Sequence, residues 1–335
     1  MTQESPTITS PPSPVSFLPL IAEPLAKVEE LFSARLASDV SFIDDAGTYI
    51  AAGGGKRVRP ALLLLVARAL DRLDEEAVTY AAVVELIHTA TLVHDDVVDH
   101  SGLRRGKATP NQKWGNSRTV LLGDWIYTTA MHLALRHDRV DVIRTLVEAT
   151  LKMTEGELLT LERLGARDLT LDEYYSIIRR KTAHLFAAAC QVPALIDPKS
   201  PMLSQPLRSY GMELGLCFQL KDDLLDFTAV SEELGKPSLA DLREGKMTLP
   251  ILLLLPRLSE AEKDLVFQVM DDRSFERVSA SQILELVARE GTVEESTVLA
   301  AKHGRLAQEA LAGLPQSAAT AALKAAPDFV LNRRS

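Results

Sequence analysis

With 335 residues, 46% of them hydrophobic but only 5% aromatic, the chain is long enough for one large domain or two ordinary ones. Its Ala- and Leu-dominated mix favours packed helices over sheet, and a net charge of −9 excludes nucleic acid as the main partner. Two cysteines, Cys190 and Cys217, form neither a disulfide framework nor a metal-ligand spacing, so a reducing, cytoplasmic setting is expected.

The opening stretch MTQESPTITSPPSPVS has no cationic segment followed by an apolar core, which argues against a signal peptide. Its Pro, Ser and Thr content predicts a disordered tail over 1–18, leaving 19–335 as a single all-helical domain. The apolar runs at 61–70 and 249–256 are far shorter than the roughly 20 residues that span a bilayer, so a soluble protein is expected. From about Pro19 to Ile50, Leu25, Val28, Leu31, Leu36 and Val40 are spaced for one apolar helix face. Then comes AAGGGKRVRP. Its glycines permit an open loop, and Lys56, Arg57 and Arg59 stand where Pro60 begins a helix at an N1-like position. Cations beside a helix start suit a phosphate group, although a basic surface loop reads the same way. It is not a Walker A loop, because Ile50 stands at its first position and Arg57 replaces the required Ser or Thr.

A helix over about 75–99 is apolar nearly all round, which marks it as central. It ends in Asp95, Asp96 and Asp99, followed by Ser101-Gly102 and the basic pair Arg104-Arg105. At 100° per residue Asp95 and Asp99 share one face with Thr91 and His88, and Asp96 sits to its side. Repelling acids there need a counter-charge, and a divalent cation bridging carboxylates and substrate phosphates supplies one. A solvated acidic helix end is the plainer alternative. A loop rich in turn formers, RGKATPNQKWGN, precedes GDWIYTTAMHLAL, which opens another helix. Helical periodicity continues over about 140–163, 171–192 and 206–229, without strand-like alternation or a fixed repeat. The last of these carries Asp222, Asp223 and Asp226 in the same D-D-x-x-D spacing, with Gly215, Gln219, Asp222 and Asp226 on one stripe. Lys181 and Thr182 lie on the helix before it, and Lys236, Asp241 and Lys246 in the loop after it. The remainder, about 258–335, reads as amphipathic helix closing in a solvated Arg333-Arg334 tail.

Two acidic triplets on separate apolar helices, with local cations, require a ligand carrying diphosphates, and the surrounding Leu, Val and Ala make the rest of it apolar. A diphosphate on an apolar tail suggests an isoprenoid that ionises to an allylic carbocation in a dry pocket. Gln219 and Thr182 offer it neutral dipoles. The stretches GGGKRVRP, ELIHTATLVHDDVVDHSGLRRGKATPN, WGN, GD, KTA, FQLKDDLLDF and GKP…DLREGKMTLP resemble the trans-isoprenyl diphosphate synthases of the polyprenyl synthetase family, over about Ala22 to Asn332. Long-chain octaprenyl- and heptaprenyl-type members are the most similar.

That resemblance implies the all-α isoprenoid synthase fold around a central cavity, a homodimer, and up to three Mg²⁺ ions per site. It also implies isopentenyl diphosphate and an allylic diphosphate as substrates, with the product handed to a membrane enzyme. Asp95, Asp99 and Asp222 match the Mg²⁺ ligands, supported by Asp96, Asp223 and Asp226. Lys56, Arg59, His88 and Arg105 match the isopentenyl diphosphate site, with Arg57 beside them. Arg104, Lys181 and Lys236 match contacts to the allylic diphosphate, and Lys246 stands near. Leu239 departs from the glycine that many members carry after GKP. In this family the product grows from the first aspartate motif towards the N-terminus of its helix, past Ala90, Thr91, Ile87 or His88, and Val84. Short-chain members place Phe or Tyr four or five residues before the first Asp, whereas Ala90 and Thr91 stand here. Thr128, Thr129 and Ala130 on the facing helix lead to Met131 as a deeper floor, implying a product of C30 to C50. A shorter-chain synthase, a class I terpene cyclase and a regulatory subunit are the alternatives; the last two leave the basic motifs without a role.

Overall fold

The computed structural model describes residues 17–104, 106–228 and 239–333. The expected run over 19–50 is two helices, α1 (Leu18–Arg35) and α2 (Ser41–Ala51). They fold back on each other so tightly that a Cβ on Gly47 would lie 2.1 Å from the Leu36 carbonyl oxygen. Helix α3 (Val58–Ala69) starts two residues before Pro60, which is therefore third in the helix. The proline still falls in the first turn, where no backbone donor is lost.

Helix α4 (Glu75–Val98) is capped by Asp74, whose carboxylate accepts the Ala77 amide at 3.0 Å. It is long and apolar enough to cross a membrane, but 78% of that span is buried inside the fold, as befits a central core helix. A two-residue hairpin, β1 (Leu103–Arg104) with β2 (Lys107–Ala108), occupies the turn-rich loop where no strand was expected. Gly106, at φ +74°, supplies the left-handed residue that so tight a reversal needs.

Helices α5 (Pro110–Trp114), α6 (Asn116–Ala134) and α7 (Val140–Glu162) follow. The expected helix over 171–192 is α8 (Leu171–Ile178), a π-helical turn (Arg179–Ala183) and α9 (His184–Ile196). Helix α10 (Ser204–Thr228) runs through the middle of the molecule. Beyond it lie α11 (Ala240–Arg243), α12 (Leu249–Leu254), α13 (Glu260–Asp272), α14 (Ala280–Glu290), α15 (Thr292–Ala310) and α16 (Ala318–Asn332). The first hydrophobic core gathers α1, α3, α4, α6, α7 and α9, and the second gathers α8 with α11 to α14. Helix α10 belongs to both. Leu207, Tyr210, Leu214 and Cys217 face the first core, and Leu216, Leu220 and Leu224 the second.

Glycines set how closely α7 and α10 grip the π turn. A Cβ on Gly156 of α7 would lie 2.7 Å from the Lys181 amide nitrogen, and one on Gly215 of α10 would lie 2.6 Å from the Ala183 Cα. Backbone therefore packs on backbone from both sides, which no larger residue permits. Leu239, the family's usual glycine position, takes the left-handed conformation at φ +57° with its side chain wholly buried in the second core. That conformation costs a non-glycine about 1–2 kcal/mol. Burying a leucine returns about 1.5–3 kcal/mol, so Leu239 is tolerated where glycine is usual.

Gly215→Ala should push α10 off the π turn and lower stability by about 1–3 kcal/mol in urea unfolding. A midpoint indistinguishable from wild type would show that the helices are not in contact there.

Candidate active site

Helices α3, α4, α7 and α10 and the π turn enclose a cavity of about 760 Å³. Asp95 projects into it from the last turn of α4 and Asp222 from α10, so the two acidic helices form facing walls. Lys56, Arg59, His88, Thr91, Lys181, Thr182 and Gln219 line it as well. A side recess of about 200 Å³ continues from Lys181, Thr182 and Gln219 to Asp222, Asp223, Asp241 and Lys246. A smaller one, of about 100 Å³, lies between Glu85, His88, Asp96 and Arg104.

The six acids of the two triplets have distinct surroundings. Asp96 is buried, accepts from Arg104 Nε at 2.7 Å, and its carbonyl takes the Asn111 amide at 2.9 Å. Asp99, just past α4, lies 3.6 Å from Lys246, which reaches across from the other wall. Asp222 is half-exposed and accepts from Arg333 at 2.8 Å. Asp223 is buried between the Tyr174 hydroxyl at 2.5 Å and Gln219 Nε2 at 2.8 Å. Asp226 accepts the Ala240 and Asp241 amides at 2.9 and 3.0 Å, and so caps α11. The Thr182 hydroxyl donates to Gln219 Oε1 at 2.7 Å, completing a chain from the π turn through Gln219 and Asp223 to Tyr174.

The acids carry more negative charge than their cations offset. Burial pushes the Asp95 carboxyl up to about 6; Lys181 pulls it back, while Glu157 and Asp99 add to the rise. Burial takes Asp223 up to about 8, helped by the nearby Asp241, which burial itself raises to about 6. Among the described residues no group of three or more His, Cys, Asp or Glu side chains is arranged to hold a metal ion by itself. One or two carboxylates from each wall, all hard oxygen donors, instead fit a divalent cation whose remaining ligands come from phosphate oxygens and water.

The cations divide in a similar way. Arg57, at φ +47°, bonds Glu29 at 2.5 Å and Glu85 at 2.6 Å and stacks on Phe32. It braces the glycine loop with its guanidinium already engaged. Arg59 is half-buried over Phe186, its buried Nε has no partner, and desolvation lowers its pKa to about 10. Lys181 contacts Glu157 at 2.5 Å. Arg105 and Lys236 lie outside the described residues.

Of the expected chain-length positions, Thr91 lines the cavity, its hydroxyl turned back to the His88 carbonyl at 2.8 Å. Ala90 and Ile87 are buried in the first core behind it, and Met131 is half-buried against that core. Thr128 corrects the expected floor, because it is exposed on the outer face of α6. The expected solvated tail is also corrected at Arg333, whose side chain is 8% exposed and lines the cavity. Tyr174 and Glu157 went unread in the sequence. Tyr174 lies 49 positions from its partner, and Glu157 is one acid among many on an amphipathic helix.

All-helical walls, carboxylates from two helices on one cavity and cations beside them mark a transferase that acts on diphosphates. The chain belongs to the polyprenyl synthetase family, which it matches over residues 40–287, and it is a trans-prenyltransferase that elongates prenyl chains. It is 46% identical to the octaprenyl diphosphate synthase of Escherichia coli (strain K12) over 70% of this chain and 72% of that one. It is 34% identical to a short chain isoprenyl diphosphate synthase of Methanothermobacter thermautotrophicus, over 92% and 97%. A polyprenyl synthase of Caulobacter crescentus, crystallised with calcium and isoprenyl diphosphate, superposes with a TM-score of 0.89 at 37% identity, covering 98% of this chain and 100% of that one.

The raised carboxyls give the metal-free protein a pH dependence of definite sign. Folded Asp95, Asp241 and Asp223 keep protons that the unfolded chain releases near pH 4. Their stabilisation is complete below that pH and is lost as pH rises through about 6 and then about 8. With chelator present, the thermal midpoint should fall between pH 5.5 and about 8.5, and Asp223→Asn should remove the upper part of the fall. A midpoint that climbs over that range in the metal-free wild type would contradict the burial of these groups.

Proposed function

We propose that the chain condenses isopentenyl diphosphate with an allylic diphosphate head to tail, giving an all-trans product of about C30 to C50. The observation that carries this reading is one cavity lined by Asp95, Asp222 and the cations Lys56, Arg59 and Lys181 together. The Caulobacter crescentus protein, crystallised with calcium and isoprenyl diphosphate, supports a metal-bridged diphosphate here.

Mg²⁺, up to three per site, would be held by Asp95 and Asp99 on one wall and Asp222 on the other, with Asp96, Asp223 and Asp226 shaping those walls. Bound there, it neutralises the departing diphosphate. The chain's own groups do the rest. Lys181, with Arg104, Lys246 and the undescribed Lys236, holds the allylic diphosphate as its C–O bond breaks. Lys56, Arg59, His88 and Arg105 hold isopentenyl diphosphate at the opposite end, and Arg57 keeps the loop beneath them rigid. Thr182 and Gln219, locked to each other and to Asp223, point fixed oxygen dipoles at the allylic cation without attacking it. The isopentenyl double bond then attacks that cation, and loss of one proton restores an allylic product.

The tail leaves past Thr91, whose methyl faces the cavity once its hydroxyl has turned to the helix backbone. No aromatic ring stands at Ala90 or Thr91 to stop it. The octaprenyl synthase relative, the more similar of the two at 46% against 34%, supports the longer product.

We further propose a homodimer across α6 and α7. Val140, Val147, Leu151 and Leu158 are exposed on one stripe of α7, about 27 Å long at 1.5 Å per residue, and Leu121 on α6 and Leu135 just past its end are exposed on either side of Thr128 along the chain. The two buried, unpaired cysteines support a reducing cytoplasm, and the apolar product would pass to a membrane enzyme.

Incubated with geranyl diphosphate, excess isopentenyl diphosphate and Mg²⁺, the protein should release products of C30 to C50 by chromatography. Thr91→Phe should shorten them to C15 or C20 with ionisation retained. Release of mainly C15 or C20 by the wild type would overturn the open-floor reading. Asp95→Asn should lower kcat by roughly 100-fold or more while the fold persists; near-normal kcat at saturating Mg²⁺ would remove Asp95 from the chemistry.

A further inference from the structure

Arg333 follows α16 and enters the cavity from a direction that the sequence motifs do not announce. Its Nη2 donates to Asp222 Oδ1 at 2.8 Å and to the Phe218 carbonyl at 3.1 Å, and its guanidinium lies 4.0 Å from the Phe218 ring centroid. Phe218 packs in turn on Phe186, at 5.2 Å between ring centroids, and Arg59 stacks on the far ring. Two guanidiniums therefore bracket a pair of phenyl rings on the cavity wall. Both keep a buried Nε with no partner.

We propose that Arg333 is an exchangeable counter-cation of the second acidic wall: it holds Asp222 while no metal is bound and leaves that oxygen when a divalent cation takes it. The proposal rests on the reading of Asp222 as a metal ligand. One oxygen cannot serve both partners at full strength, because a guanidinium at 2.8 Å occupies the approach that a metal ion needs. A doubly charged ion in direct contact with the carboxylate outcompetes a singly charged one. The move is also inexpensive. The stack on Phe218 does not depend on Asp222, and the buried Nε already lacks an acceptor, so the docked state is incompletely satisfied. Arg104 pairs with buried Asp96 and Lys246 lies near Asp99. Arg333 is the one that covers a half-exposed acid facing the main cavity.

Mn²⁺ titration of the substrate-free protein, followed by loss of the free-ion electron paramagnetic resonance signal, tests the exchange without turnover. Arg333→Gln removes the competitor and should bind Mn²⁺ roughly fivefold more tightly than wild type; Arg333→Ala should do the same, and circular dichroism checks that both are folded. Asp222→Asn should lose affinity whether or not Arg333 is present. Unchanged or weaker binding in both folded Arg333 variants, with binding lost in Asp222→Asn, overturns the exchange and leaves Asp222 as a ligand. Wild-type binding in Asp222→Asn overturns both readings together.

Discussion

Backbone contact at the π turn is the constraint on which the site depends. Arg179–Ala183 is gripped by Gly156 of α7 on one side and Gly215 of α10 on the other, each too close for a Cβ. Inserting one residue into a helix rotates everything beyond it, and π turns tend to occur where function needs that rotation. Here it lets successive residues, Lys181 and Thr182, both face the cavity, which a regular helix at 100° per residue does less well. Thr182 then fixes Gln219, Gln219 fixes Asp223, and Tyr174 closes the chain from α8. Two missing side chains thus hold four polar ones in place.

Charge is the second organising feature, and it is deliberately unfinished. Each wall carries more carboxylate than its neighbouring cations offset, so burial raises Asp95, Asp223 and Asp241 instead of leaving them as ordinary ions. Lys181 leans on Glu157, Lys246 on Asp99 and Arg333 on Asp222. These pairings keep long basic side chains ordered near the cavity. The metal-bearing diphosphate proposed above would satisfy both sets at once.

Much of this was legible in the sequence, for reasons that are local. The paired D-D-x-x-D spacings announce helix walls because helical geometry alone decides which acids share a face. The basic residues after the glycine loop were read as a phosphate site, and Lys56, Arg57 and Arg59 do line the cavity, yet Arg57 also braces Glu29 and Glu85. A cation in a phosphate-like motif looks the same whether it meets ligand or protein. Thr128 was read as one of the small residues leading to the Met131 floor, because spacing along α6 does not reveal which neighbour each face meets. Tyr174 and Arg333 were beyond reach for another reason: their partners are 49 and 111 positions away, and no short-range pattern encodes contacts of that span. The helix over 171–192 was legible as helix, but not its π turn, which is set by glycines on two other helices.

The sharing of α10 between the two cores has a consequence for how such enzymes diversify. Ala90, Ile87 and Met131, which the proposed function sets behind the growing tail, belong to the first core or pack against it, whereas Tyr174 and Leu239 belong to the second. Exchanges of size in the first core alter how deep the cavity runs without disturbing the polar chain anchored in the second. Descendants of one ancestral chain are therefore free to drift in product length while their ionisation chemistry stays fixed.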